Sequence, residues 1–108
     1  MEHDVTVRKG TTVVALKGEI DLDNSPAARK LLLDSINDAS RVLIDLSGVT
    51  YIDSSGVASL VEALQVSKKN GTGFALAAAS EPTRRVLELA RLDKVFTIHD
   101  TVDAGLTG

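Results

Sequence analysis

The chain has 108 residues, 44% of them hydrophobic and 25% charged, with 12 Lys and Arg against 15 Asp and Glu and a formal net charge of −3. This size and balance describe one globular domain spanning residues 1–108, and the mild acidity argues against a general nucleic-acid surface. The lack of cysteine removes disulfides, thiolate metal sites and cysteine nucleophiles, and no apolar run approaches the length of a membrane span.

Met1-Glu2-His3-Asp4 has neither the basic start nor the apolar stretch of a signal peptide, so a cytoplasmic protein without direct membrane insertion is expected. Val5 and Val7 share one face of a short strand, Lys9-Gly10-Thr11 reads as a turn, and Val13 to Leu16 form a second strand that Gly18-Glu19-Ile20-Asp21 closes. Asn24 or Ser25 can cap a helix with Pro26 in its first turn, and Ala28, Leu31, Leu32, Ile36 and Ala39 fall at helical spacing. Val42-Leu43-Ile44-Asp45-Leu46 has the continuous apolar character of a central strand.

A short loop then leads to Asp53-Ser54-Ser55-Gly56, and Val57, Leu60, Val61 and Leu64 make a second helical stripe ending at Lys68-Lys69-Asn70-Gly71. Phe74 to Ala79 is the next strand. Ser80-Glu81-Pro82 opens a third helix carrying Val86, Leu89 and Ala90, Val95 to Ile98 form a last short strand, and a brief helix is expected after Asp100. The order β-β-α-β-α-β-α-β predicts an α/β fold: a mostly parallel mixed sheet of about five strands with an N-terminal hairpin and three to four helices.

The Ser54-Ser55 pair places modifiable hydroxyls at a helix N-terminus, where free N–H groups and the positive end of the helix dipole make phosphate addition or removal a local switch of charge and shape. An N-cap accounts for the same tetrapeptide, since Ser and Asp are preferred at helix starts. On the second helix, Ala58, Ser59, Glu62, Gln65 and Val66 lie off the Leu60/Leu64 stripe, and the two small residues nearest the serines would allow close approach by another protein. Good helix formers on a solvated surface are the plain alternative.

Other chemistry is poorly supported. A Ser-His-Asp triad would have to recruit His99, because His3 sits in the terminal segment, and the Gly-x-Ser-x-Gly elbow is absent with Asp at residue 53, so no catalytic residue is assigned. Asp21, Asp23, Asp45 and Asp53 are read as caps, turns and strand ends, with no metal proposed. Gly71-Thr72-Gly73 lacks the spacing of a phosphate-binding loop, and Arg84-Arg85 reads as solvated helix surface, so no cofactor is expected.

The run Asp45-Leu46-Ser47-Gly48-Val49-Thr50-Tyr51-Ile52-Asp53-Ser54-Ser55-Gly56, with Gly18-Glu19-Ile20-Asp21 upstream and the same order of elements around it, resembles the STAS domains, most closely the single-domain anti-sigma-factor antagonists. The resemblance covers essentially the whole chain. It implies a partner switch: a kinase of the GHKL type that is also an anti-sigma factor phosphorylates a serine of the Asp-Ser-Ser/Thr-Gly turn, and a PP2C-type phosphatase reverses it. Carried over by position, the acceptor is Ser54, with Ser55 the less favoured candidate and the neighbouring cap. The implied switch surface is Asp21, Asp53, Ser54, Ser55, Gly56, Ala58, Ser59 and Glu62, with Ala58 standing where many relatives carry glycine. Because STAS domains also accompany membrane transporters and ABC systems and occur in regulators of polysaccharide or biofilm output, the alternative function is an accessory docking subunit of a membrane transport (ABC-type) complex or a regulator of polysaccharide or biofilm output.

Overall fold

The computed structural model describes residues 1–107. Its elements in chain order are β1 (Glu2–Arg8), β2 (Thr11–Ile20), α1 (Ser25–Asp38), β3 (Arg41–Ile52), α2 (Ser54–Asn70), β4 (Gly73–Ala77), α3 (Glu81–Leu89), β5 (Ile98–His99) and α4 (Val102–Thr107), with a 3-10 turn over Leu92–Lys94. The sheet has five strands in the order β1-β2-β3-β4-β5, with β1 antiparallel to β2 and the other pairs parallel. This is the mixed, mostly parallel α/β architecture that the alternation of strands and helices predicts.

The alternation of side chains along the strands sorts the core into two unequal layers. Val14, Leu16, Val42, Ile44, Leu46 and Leu76 face Ala28, Leu32 and Ile36 of α1, Leu60 and Leu64 of α2, and Leu87 of α3 in one cluster. Val13, Leu43 and Ala77 point to the other face, where Leu106 of α4 covers them. Phe96 is buried in the larger cluster just before β5 and lies 6.4 Å, centroid to centroid, from Phe74.

Both central strands run further than their apolar runs suggest. β2 continues through Gly18 to Ile20, and β3 continues through Ser47-Gly48 to Ile52, where a short loop is expected from the sequence. The β2–β3 register shifts between Ala15 and Lys17 and again between Gly18 and Glu19, so the polar, glycine-containing stretch is a bulged strand rather than a turn. At Gly48 an added Cβ would lie 2.8 Å from Lys17 Cγ, a close approach that suits the irregular pairing. The bulges carry Ile20 and Ile52 to the same level, paired with each other, at the C-terminal end of the sheet.

Three further differences concern the helices. In α3 the residue that enters the core is Leu87, accompanied by buried Thr83, whereas Leu89 is 80% exposed and Ala90 lies past the helix end. Ala39 lies just past the end of α1 as its C-cap residue, in extended backbone, yet still packs against the core that the stripe faces. In α2 the helix starts at Ser54, not Gly56, and Asp53 is its N-cap; its other end closes on Gly71 in the left-handed conformation, as the sequence predicts.

The first turn of α2 rests on the strand ends through a missing side chain. A Cβ at Gly56 would come within 2.7 Å of Ile52 Cγ1, 2.8 Å of Ile20 Cγ2 and 3.1 Å of the Ile20 carbonyl oxygen. A Gly→Ala change in a helix ordinarily gains up to about 1 kcal/mol, but this contact includes fixed backbone, and overpacking costs about 1–3 kcal/mol. Gly56→Ala is therefore expected to destabilise the fold by about 1–2 kcal/mol, read as a lower urea midpoint with an unchanged slope.

Candidate functional site

The site is the junction where β3 turns into α2, beside the loop that joins β2 to α1. The Asp53 N–H donates to the Ile20 carbonyl oxygen at 3.1 Å, which ties the turn to the end of β2. The Asp53 side chain then satisfies the helix start: Oδ1 accepts from the Ser55 N–H at 2.9 Å and the Gly56 N–H at 3.1 Å. The Ser55 hydroxyl donates to the same oxygen at 2.5 Å. Oδ2 reaches across to the neighbouring loop and accepts from the Leu22 N–H at 3.1 Å.

One carboxylate thus holds two chain segments in register. The loop has its own internal scaffold: Asp21 Oδ1 accepts from the Asp23 and Asn24 N–H groups, Asn24 Oδ1 accepts from the Asp21 N–H, and Asn24 Nδ2 donates to the Glu19 carbonyl. Asn24 is the N-cap residue of α1, but its side chain serves this loop rather than the helix N–H groups. Asp45, on β3, instead accepts from the Ser47 N–H. Among the described residues, no group of three or more His, Cys, Asp or Glu side chains is arranged to hold a metal ion.

The two serines differ sharply. Ser55 is partly buried and its hydroxyl is engaged by Asp53, whereas Ser54 is exposed and its hydroxyl has no hydrogen-bond partner among the described residues. The cap is Asp53, not Ser55, and Ser55 is the second residue of the helix. Ser54 is the first, the position whose N–H the cap side chain leaves unfilled. Ala58 lies one turn beyond Ser54 and is exposed on the same side.

Of the expected surface residues, one is buried and another is on the surface but engaged by the neighbouring helix. Ser59 is 7% exposed in the seam between α1 and α2, its hydroxyl donating to the Ser55 carbonyl at 3.1 Å and the Ser25 carbonyl at 3.4 Å. Glu62 turns toward the same seam and pairs with Arg29 of α1 at 2.7 Å, which holds its carboxyl below the ordinary range. Helical spacing located both off the Leu60/Leu64 stripe correctly, but it carried no information on where α1 packs.

The exposed rim contains two large apolar residues that pattern reading passed over. Leu22 is 73% exposed in the loop whose backbone Asp53 holds, and Tyr51 is 51% exposed two residues before Asp53. An apolar residue inside the polar loop Asp21-Leu22-Asp23-Asn24, with no periodic role, was the available signal for the first. Tyr51 sits in the irregular last part of β3, where Thr50 and Tyr51 are both exposed and simple alternation fails. An exposed leucine tied to the helix start through its N–H, an exposed tyrosine in the strand that leads into it and a free hydroxyl in its first turn are features suited to contact with another protein.

The STAS domain family model matches residues 2–105. The chain is similar to the anti-sigma-F factor antagonist RsfB of Mycobacterium tuberculosis, 33% identical over 107 residues that cover 96% of this chain and 85% of that protein. It is also similar to the anti-sigma-B factor antagonist of Bacillus subtilis, 27% identical with 95% of this chain and 94% of that protein covered. Among solved structures it is similar to an anti-sigma factor antagonist from Mycobacterium paratuberculosis, with a TM-score of 0.90, 34% identity, and 98% and 91% of the two chains covered.

The Asp53 carboxyl is held below its ordinary value of 3.8, first by the Ser55 hydroxyl and then by the Gly56 N–H, with the Ser55 and Leu22 N–H groups adding to both. A lowered native value means that its contribution to stability is present above the unfolded-state pKa and is lost as pH falls through the native one. Asp53→Asn keeps one cap acceptor but loses the charge and the second acceptor for Leu22. Thermal melts from about pH 5 to about pH 2 are expected to show the wild type losing stability more steeply than the variant, with the two curves converging at the acid end.

Proposed function

Because the chain belongs to the STAS domain family, we propose that it is an anti-sigma-factor antagonist: a partner-switching regulator controlled by phosphorylation of Ser54. In this reading it is a cytoplasmic, non-enzymatic protein. Unphosphorylated, it binds a GHKL-type serine kinase that is also an anti-sigma factor and so frees that kinase's client. Phosphorylated, it releases the kinase, and a PP2C-type phosphatase resets it.

The observation that carries this reading is the difference between the serines. The Ser55 hydroxyl is held by the capping carboxylate, while Ser54 offers an exposed, unengaged oxygen in the first turn of α2. A phosphoryl group on Ser54 adds about −1.5 to −2 charges close to the Asp53 carboxylate but also at the positive end of a 17-residue helix with its first N–H free. The fold tolerates that charge, because it projects into solvent and the cap bonds are made by other atoms. A docked partner covering Leu22, Tyr51 and Ala58 would instead have to bury it against an apolar rim. Desolvation of the dianion at such a contact exceeds the 1.4 kcal/mol that makes a tenfold change in affinity.

Peptide mapping of protein purified from its native host tests the assignment. One phosphate is expected on the peptide containing Asp53-Ser54-Ser55, retained in Ser55→Ala and lost in Ser54→Ala. Absence of phosphate under every growth condition, with a transporter subunit co-purifying, would instead favour the accessory-subunit function. For the cognate kinase, Ser54→Asp is expected to weaken binding by at least about tenfold in calorimetry while shifting the melting temperature by no more than about 2 °C.

A further inference from the structure

Among the described residues, the N-terminal hairpin leaves one long strand edge without a partner. β1 is seven residues long, every residue of it is exposed, and its ladder with β2 runs without interruption from Glu2 opposite Lys17 to Arg8 opposite Thr11. It carries neither a proline nor a bulge, two common means of blocking edge pairing. Val5 is 44% exposed and Val7 is 72% exposed, and with Leu31 and Asp34 of α1 they line an open groove between the hairpin and that helix.

The turn fixes which backbone groups are free. Lys9 and Gly10 both have positive φ, 53° and 76°, the pattern of a two-residue type I′ hairpin in which the flanking Arg8 and Thr11 form a hydrogen-bonded pair. Hydrogen-bonded pairs then recur at alternate residues, so Thr6, Asp4 and Glu2 also bond to β2. His3, Val5 and Val7 therefore turn their N–H and C=O groups outward, unpaired.

We infer that this edge is the contact surface for a second copy of this chain, the two β1 strands pairing antiparallel about a two-fold axis at Val5. In that register Val5 faces the partner's Val5, His3 faces the partner's Val7, and each outward N–H and C=O of these residues meets a complementary group. The valines of both copies form one apolar stripe on the α1 side. On the opposite side Glu2 lies across from the partner's Arg8, twice by symmetry, so the charges agree with the register that uses the whole strand. Arg8 already touches Asp103 at 3.3 Å with both side chains exposed, a contact loose enough to be shared. The sheets of the two copies become continuous, and the Ser54 site, on the α2 start rather than on β1, is left uncovered in each.

Sedimentation velocity of the full chain across a range of concentrations tests this. A reversible monomer–dimer equilibrium is expected. Val5→Pro removes an N–H that faces outward, leaving the β1–β2 ladder whole, and is expected to raise the dimer dissociation constant by about tenfold or more with little change in the monomer's melting temperature. Arg8→Glu and Glu2→Arg are each expected to weaken the dimer, and the double exchange to restore it. A chain that stays monomeric up to about 0.5 mM, well above the micromolar range of specific homodimers, would overturn the inference. So would a dimer that Val5→Pro and both charge reversals leave intact.

Discussion

The bidentate use of one carboxylate, Asp53, organises this molecule's working end. Its first oxygen completes the start of α2 and holds the Ser55 hydroxyl, and its second fixes the β2–α1 loop through the Leu22 N–H. The Ser59 hydroxyl adds a longer contact to the Ser25 carbonyl further along the two helices, so Asp53 is the tie nearest to the exposed leucine and the exposed serine. The backbone of the same residue reaches Ile20, and Gly56 sits without a Cβ over Ile20 and Ile52. Helix, loop and both strand ends are thereby fixed to within the tolerance of a few contacts.

That arrangement separates two tasks that adjacent hydroxyls would otherwise share. A capping group must be held, because its oxygen or its neighbour's has to meet helix N–H groups with defined geometry. A modifiable group must be free, because a transferring enzyme has to reach its oxygen and a phosphate has to find room. With Asp53 as cap and Ser55 as the hydroxyl bound to it, Ser54 has no structural duty. Under the proposed switch, phosphorylation there would change what the surface presents without removing any bond that supports the helix. The location at the C-terminal ends of the parallel strands β2 and β3 follows the general tendency of α/β folds to build sites where strands end and helices begin.

Much of this was legible in the sequence because it rests on local pattern. The hairpin, the apolar run of β3, the buried stripes of α1 and α2 and the lysine-rich, glycine-capped end of α2 all follow from periodicity and turn chemistry. What was not legible depends on packing between distant segments. Ser47-Gly48 has the composition of a turn, and the pairing of Gly48 with Lys17 of β2, resumed just after the register shift, keeps it in a strand. Ser59 and Leu87 are buried, and Leu89 exposed, because of where α1 and β3 lie relative to their helices, a relation that spacing along one helix does not contain. The Asp53 to Leu22 bond joins residues 31 apart, so the role of Asp53 beyond capping was likewise hidden.

The bulged strands connect these observations to the edge of the sheet. β2 is shared: one side of it holds β1 over nearly its whole length, and its other side follows β3 through two register shifts before ending at Ile20 under Gly56. A regular ladder transmits displacement along a strand, whereas each bulge leaves a residue unpaired and bends the strand locally. Both irregularities fall between the stretch of β2 that faces the middle of β1 and the stretch that supports α2. The stretch of β2 opposite the middle of β1 is therefore separated from the stretch under α2 by both register shifts, so that in the inferred dimer the paired edge and the Ser54 junction lie on different sides of the irregularity.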